Sequence, residues 1–481
     1  MRYALRLISI LLLSQSAAVL ACLIPAYHFN DGTFYPILYS ALATIAAGLT
    51  LLIIQRHINV HQKRAPLSHL LVVLLWLLLA LFGALPYILT GVTPKVIDAL
   101  FESMSGLTST GATIFPHVQS LPPSILLWRS ITQWVGGFGI VLLVLAVIPS
   151  LGINKFSLYT AEASQADNTG KLTSSTASTV RQTLSVYIIF TLIFIGLFLY
   201  SGMTPFDAVN ITFTNISSGG FSIYDDSAAS LTSTQQYILA AAMFLSGINF
   251  ALLFHLLTFR FSRIKGKLDQ FRFYCTTLFL ASLFVTAVLH LHHGYPWQQA
   301  LRLGIAQTAS VISTTGTIFS DTNLWWTPIL LLFLLLALCG GMAGSTSGGI
   351  KSMRVLILMR NVRNDLQRRL HPNSVHPVRL NGHPVPSHII DNVMVIFIVY
   401  LLTILFGVLI LMICGTSATE SIGAVVGCVS GYGPGLGASG GMGSYAHFSV
   451  TAKAVCSFLM LAGRLECISI LIVCFPSYYR S

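Results

Sequence analysis

The sequence predicts an all-α membrane protein: four repeats of span, half-helix, glycine-rich loop and span, preceded by two extra transmembrane helices. Three observations predict it. The 481 residues are 54% hydrophobic and only 8% charged, with a mean hydropathy of +0.78, whereas a soluble protein carries roughly 25% charged residues. Ten apolar runs recur along the chain, at roughly 5–28, 34–54, 67–90, 124–150, 183–202, 234–259, 272–293, 325–358, 389–415 and 448–475. Each is long enough to cross a bilayer core of about 30 Å as a helix. Between alternate runs lie four segments too short and too polar to cross, each ending in a loop rich in Gly. The long runs exclude a sheet-based fold and an ordinary soluble enzyme.

The first run follows Arg2 and Arg6, as a secretion signal would, and Val19-Leu20-Ala21-Cys22 resembles a lipoprotein cleavage site. The run continues past Cys22 to Tyr27 and a second span follows almost at once, so it reads as an uncleaved first span. Residues 1–62 therefore hold the two extra helices. The repeats occupy residues 63–160, 161–268, 269–370 and 371–481.

The half-helix segments come in the same order in every repeat. Pro94 to Thr113 closes on Leu107-Thr108-Ser109-Thr110-Gly111-Ala112, and Pro205 to Ser222 closes on Ile216-Ser217-Ser218-Gly219-Gly220-Phe221. Pro296 to Thr317 closes on Ser313-Thr314-Thr315-Gly316-Thr317, and Ala418 to Gly437 on Gly431-Tyr432-Gly433-Pro434-Gly435-Leu436-Gly437. The three prolines suit a first helical turn. Asp98 precedes Gly111 by 13 residues and Asp207 precedes Gly220 by 13, while Gly111, Gly220, Gly316 and Gly435 lie 109, 96 and 119 residues apart.

Irregular backbone inside a bilayer leaves carbonyls unpaired, at several kcal/mol each. It survives where protein or a water-filled path surrounds it. Four such loops about one axis can point their carbonyls at a central pore, as a ring that replaces an ion's hydration shell. Glycine permits left-handed backbone and leaves the axis clear. Each half-helix aims the negative end of its dipole at the path. The pattern points to a small cation.

The net charge of +12 is distributed for membrane topology rather than for nucleic acid. Of 26 Lys and Arg, 21 fall in the clusters Arg2/Arg6, Arg56/Lys63/Arg64, Lys155/Lys171/Arg181, Arg260/Arg263/Lys265/Lys267/Arg272, Lys351/Arg354/Arg360/Arg363/Arg368/Arg369/Arg379 and Arg480. With both termini in the cytoplasm, all of these are cytoplasmic, as the positive-inside rule expects. The outer side keeps Lys95, Arg129, Arg302 and Lys453 against Asp31, Asp98, Glu102, Asp207, Asp225, Asp226, Asp321 and Glu420. An acidic outer face would concentrate cations at an entrance.

Gly340-Gly341-Met342-Ala343-Gly344-Ser345-Thr346-Ser347-Gly348-Gly349-Ile350-Lys351 interrupts the eighth span. Ile350 breaks the spacing of a phosphate-binding loop and no strand precedes it. The stretch reads as a flexible constriction below the filter. Arg464 lies inside the last span, where a charge costs at least ~3 kcal/mol and should face an interior cavity as a barrier to cations. Glu466 is a poor partner for it, because positions i and i+2 do not share a helix face. The glycines of Trp134-Val135-Gly136-Gly137-Phe138-Gly139 suit close helix approach, and Trp325 and Trp326 suit an interfacial belt. The eight cysteines form no Cys-x-x-Cys pair and the fourteen histidines no metal-ligand spacing. No enzyme active site is indicated.

Taken with the loops, certain motifs identify a family resemblance over essentially the whole length. They are Phe101-Glu102-Ser103-Met104-Ser105-Gly106-Leu107-Thr108-Ser109-Thr110-Gly111-Ala112-Thr113, Gln133-Trp134-Val135-Gly136-Gly137-Phe138-Gly139-Ile140, Gly219-Gly220-Phe221-Ser222, Ala343-Gly344-Ser345-Thr346-Ser347-Gly348-Gly349, His371-Pro372-Asn373, Gly433-Pro434-Gly435-Leu436-Gly437 and Gly463-Arg464-Leu465-Glu466. The chain resembles the Trk/Ktr/HKT superfamily of potassium transporters, most closely the TrkH-like membrane subunits of bacteria. The resemblance implies potassium uptake across the bacterial inner membrane, with K+ as the transported ion and no organic cofactor. It implies filter carbonyls at Ser109, Thr110 and Gly111; Ser218, Gly219 and Gly220; Thr314, Thr315 and Gly316; and Gly433, Pro434 and Gly435. It implies a gating loop over 340–350, with Gly340, Gly341, Gly344, Gly348 and Gly349, and a pore arginine at Arg464. It also implies a homodimer with one pore per subunit, and a cytosolic ring of nucleotide-binding, TrkA-like regulatory subunits on the basic loops. Two departures bear on selectivity over sodium: Gly316 is followed by Thr317 where relatives often carry Phe, and Ile223-Tyr224-Asp225-Asp226 is unusually acidic. The rival reading is a secondary cation transporter coupled to sodium or protons. Such a transporter would need intramembrane carboxylates as a relay, and the sequence places only Glu466 deep in a span.

Overall fold

The computed structural model describes residues 2–57, 68–142, 176–260, 268–371 and 376–474. Lys63, Arg64, Lys155, Lys171, Arg263, Lys265, Lys267, Pro372, Asn373, Arg480 and the end of the fourth expected span, residues 143–150, lie outside the described residues.

Helices α1 (Arg2–Ala21) and α2 (Leu23–His28) cross together, and α3 (Phe34–His57) returns. The first repeat runs through α4 (Ser68–Leu89), the half-helix α5 (Val96–Leu107) and α6 (Pro123–Leu142). The second has α7 (Thr176–Tyr200), the half-helix α8 (Pro205–Ile216), α9 (Ser233–Ser246) and α10 (Phe250–Leu257). The third has α11 (Asp269–Leu291), the half-helix α12 (Trp297–Ile312), α13 (Thr327–Cys339) and α14 (Ser352–Leu370). The fourth has α15 (Ser387–Ile413), the half-helix α16 (Ala418–Ser430), α17 (Val450–Arg464) and α18 (Ile468–Cys474). A two-residue antiparallel pair, β1 (Arg379–Leu380) with β2 (His383–Pro384), sits between the third and fourth.

The half-helices start where side chains can satisfy free N–H groups. The Thr204 hydroxyl accepts from the Asp207 N–H with Pro205 in the first turn, and the Ser417 hydroxyl accepts from the Glu420 N–H. All four half-helices are buried over their C-terminal turns. The peripheral spans turn the other way. Along α15 residues such as Ile398, Leu405 and Phe406 are more than half exposed, as suits a face bathed in lipid rather than water.

Among the described residues six helices are long and apolar enough to cross a membrane, or seven if α9 and α10 count as one. Ten unbroken or singly interrupted spans were expected, and the difference lies in the span after each loop. Helices α9 and α10 meet at 109°. Between them the Asn249 side chain accepts the Leu252 N–H at 3.1 Å and so starts a new helix. The span between α13 and α14 is open from 340 to 351, as the glycines there predict. Between α17 and α18, Glu466 and Cys467 stand in left-handed conformation, φ +61° and +54°, which an α-helix of L-residues does not continue through. Two of these three breaks are invisible to hydropathy, which averages across them.

Candidate functional site

The four half-helices end in one shared turn. The N–H groups of Thr110, Gly219, Thr315 and Tyr432 donate to the carbonyls five residues back, those of Ser105, Thr214, Ser310 and Gly427, at 2.9, 2.8, 2.9 and 3.0 Å. In each loop the preceding residue is left-handed: Ser109, Ser218, Thr314 and Gly431 have φ of 53°, 54°, 53° and 70°. The following glycine is left-handed too: Gly111, Gly220, Gly316 and Gly433 have φ of 86°, 72°, 81° and 90°.

These glycines seam the repeats together. A Cβ on Gly111 would overlap the carbonyl oxygen of Gly219; on Gly220, that of Thr315; on Gly316, that of Tyr432; on Gly433, that of Thr110. The contacts run from each repeat to the next and return to the first, so the ring is closed. All four glycines line one cavity of about 60 Å³, together with Phe115, Phe221 and Tyr224. Among the described residues, the carbonyls of Thr110, Thr315 and Tyr432 accept no protein hydrogen bond, whereas that of Gly219, their counterpart in the second loop, accepts from Gln133 Nε2 at 2.8 Å. Oxygen dipoles left free around one axis suit a desolvated cation.

The register of the fourth loop differs from expectation. Gly433, not Gly435, matches Gly111, and Gly431 and Tyr432 precede it in the positions of Ser109 and Thr110. Pro434 and Gly435 turn back onto their own repeat: the Pro434 carbonyl lies beside Gly427, and the Gly435 N–H donates to the Ser439 carbonyl at 2.8 Å. With four glycines in seven residues, composition alone does not fix the register. The acidic spacing does, since Glu420 precedes Gly433 by 13 residues, as Asp98 precedes Gly111.

Side chains behind the loops hold this geometry. Glu102 and Gln307 stand nine residues before Gly111 and Gly316. Each accepts the N–H three residues after its glycine, Ile114 at 3.0 Å and Phe319 at 3.1 Å. Glu102 also accepts from Arg129 Nε at 2.8 Å. Arg129 Nη1 donates to the Ser222 carbonyl at 2.8 Å, and its guanidinium stacks 4.1 Å over Phe221. Glu102 and Arg129 are 0% and 1% exposed, so they are a buried strut rather than the outer-surface charges expected from the sequence. Lys453 and Asp98, expected likewise, pair at 2.8 Å. The Tyr445 hydroxyl donates to the Gly433 carbonyl at 2.8 Å. Gln133, reaching from α6, bonds both Gly219 and Phe221. Sequence reasoning singled out none of these struts, because each partner lies on another element. Trp325, expected at the interface, is buried, whereas Trp326 is exposed.

The 340–350 stretch lies directly against the ring, on the side where the half-helices end. The Thr346 hydroxyl meets that of Ser218 at 2.7 Å and donates to the Ile216 carbonyl at 3.1 Å. The Gly348 N–H donates to the Thr314 hydroxyl at 2.6 Å, and the Gly349 N–H to the Ser430 carbonyl at 2.8 Å. The ends of three half-helices thus hold the stretch. Gly340, Gly344 and Gly349 are left-handed, while Gly341 packs against Ser347. Lys351 Nζ folds back to the Ser347 carbonyl. Arg464 donates from Nη1 to the Thr346 carbonyl at 3.2 Å and from Nη2 to the Gly136 carbonyl at 3.0 Å. It bridges the stretch to the close-packed glycines of α6, where a Cβ on Gly136 would overlap the Leu107 carbonyl. Glu466 pairs with Arg354 at 3.0 Å, on the far side of the break.

A family model, that of the TrkH cation transport proteins, matches residues 36–478. The Trk system potassium uptake protein TrkH of Escherichia coli (strain K12) is 34% identical over 417 residues, 85% of this chain and 85% of that protein. TrkH of Vibrio parahaemolyticus is 33% identical over 494 residues, covering 100% of this chain and 99% of that one. The crystal structure of the potassium transporter TrkH from Vibrio parahaemolyticus superposes with a TM-score of 0.88 at 29% identity, across 99% of both chains.

Proposed function

This chain belongs to the TrkH family of cation transport proteins, and from that premise we propose that it carries potassium into the bacterial cell through the ring of loop carbonyls. The observation that carries the reading is the closed cycle of four glycine contacts around one cavity. Related proteins named for potassium uptake share the fold across their full length. Potassium binds in the ring at the carbonyls of Ser109, Thr110 and Gly111; Ser218, Gly219 and Gly220; Thr314, Thr315 and Gly316; and Gly431, Tyr432 and Gly433. Carbonyl dipoles of moderate field favour a large, weakly hydrated cation over a small one.

Conduction is gated where the 340–350 stretch closes against the half-helix ends. Arg464 acts as the latch, because its two donated bonds hold Thr346 to the neighbouring wall. The protein sits in the inner membrane with both termini cytoplasmic, a placement supported by the arginines of α14 under the positive-inside rule. By family likeness it works as a homodimer and docks a ring of nucleotide-binding, TrkA-like subunits on its basic cytoplasmic surface. Passive flow is favoured over sodium or proton coupling because Glu102 and Glu466 are each engaged by an arginine and Asp98 by Lys453.

Flux of rubidium or potassium into liposomes holding the purified chain tests the reading. Uptake down the potassium gradient alone, with sodium excluded, supports it. Uptake that needs an imposed sodium or proton gradient replaces it with the coupled transporter, and no cation flux at all overturns it.

A further inference from the structure

We propose that Gln133 is a positioning residue for ion discrimination, its carboxamide fixing the two peptide planes that flank Gly220 in the second loop. The proposal deepens the potassium reading above and rests on it. Gln133 is fully buried on α6, in the first repeat, yet its side chain serves the second. Nε2 donates to the Gly219 carbonyl at 2.8 Å, and Oε1 accepts the Phe221 N–H at 3.0 Å. The orientation of the amide is set by these partners. Flipped, it would put oxygen against oxygen and NH₂ against N–H.

The fit leaves no slack. A Cβ on Gly219 would overlap Gln133 Cδ, so amide and loop are packed face to face. The held carbonyl is the one that lies against Gly111, and the held peptide continues into Gly220, which lies against Thr315. One side chain therefore controls two of the four seams. Its own backbone carbonyl accepts the Ser109 hydroxyl at 3.3 Å, which adds a contact to the first loop.

The second loop needs an external strut because it lacks an internal one. Nine residues before Gly220 stands Ile211, where the first and third loops have Glu102 and Gln307. An apolar side chain cannot accept the loop N–H. Gln133 holds this loop from the neighbouring repeat at a different place, at Gly219 and Phe221 on either side of the glycine rather than three residues beyond it.

The test compares Gln133→Glu and Gln133→Met with the wild type in liposomes, with potassium and sodium fluxes measured separately. Glutamate keeps the shape but sets an acceptor against the Gly219 carbonyl; methionine keeps the length and removes both polar groups. The potassium-to-sodium flux ratio is expected to fall about tenfold in Gln133→Glu, which loses the bond to Gly219, and at least as far in Gln133→Met, which loses both bonds, while elution and melting stay close to wild type. A folded variant with the wild-type ratio overturns the proposal. So does failure of both variants to fold, which makes Gln133 a structural residue only. A wild type without potassium preference removes the transport reading and this proposal together, whereas equally selective wild type and variants remove the proposal alone.

Discussion

Gly111 and Gly433 each meet a constraint that no other residue satisfies. Each is left-handed, which costs an L-residue roughly 1–2 kcal/mol, and each has a neighbouring carbonyl where a Cβ would go. Gly433→Ala should therefore abolish selective potassium uptake, as should Gly111→Ala, measured as growth at limiting potassium in a strain lacking its own uptake systems. Gly435→Ala should be far milder. Its φ is ordinary, and its Cβ would first meet the Ser439 hydroxyl, the end of a side chain that can rotate away. Equal damage at 433 and 435 would restore the register expected from the sequence alone. At this scale the turns of the first three loops were legible, because each has a glycine behind a run of Ser, Thr or Gly. The fourth was not, because its glycines are too many to choose among. Gln133, Glu102 and Tyr445 were illegible for a different reason. A polar residue in an apolar helix announces that it has a partner, but not that the partner is a loop 86 residues away, as Gly219 is from Gln133.

The half-helices were legible as elements. Prolines marked three of their starts, and α8 and α16 begin at the residues expected, Pro205 and Ala418. The broken spans were half legible. Glycine density exposed the gap after α13, but the breaks at Gly247–Asn249 and Leu465–Cys467 depend on a cap and on two left-handed residues that hydropathy does not register. The broken elements also support one another. The Gly344 carbonyl accepts the Phe250 N–H at 3.1 Å, and the Asn249 amide donates to the Ala343 carbonyl at 2.6 Å, so the turn between α9 and α10 anchors one end of the 340–350 stretch while Arg464 anchors its middle. Hydrogen bonds to a charged group contribute about 1.5–3 kcal/mol each. Arg464→Ala should consequently loosen the stretch and raise basal rubidium flux severalfold in the absence of any partner. A lower flux in a folded variant would count against the latch.

Across the whole molecule, the ring closes where the last repeat meets the first. Lys453 of α17 reaches Asp98 of α5 at 2.8 Å, with both side chains largely buried. Breaking a buried pair from one side costs about 3–5 kcal/mol. Lys453→Met should lower the melting midpoint and slow uptake, and the exchange Asp98→Lys with Lys453→Asp should recover part of both. If the exchange recovers nothing, the pair is not what joins the two ends. The general architecture was written in the hydropathy and the recurring loops, whereas its closure depends on contacts between residues hundreds of positions apart. That closure within one polypeptide has an evolutionary consequence. A pore assembled from four identical subunits changes all its walls at once when one codon changes, and intermediate designs are skipped. Here each wall has its own codons, so a substitution such as Thr317 for an aromatic, or an acidic run after Phe221, alters a single quarter. If the ring conducts as proposed, such a lineage could adjust its preference among alkali cations in small, separately heritable increments.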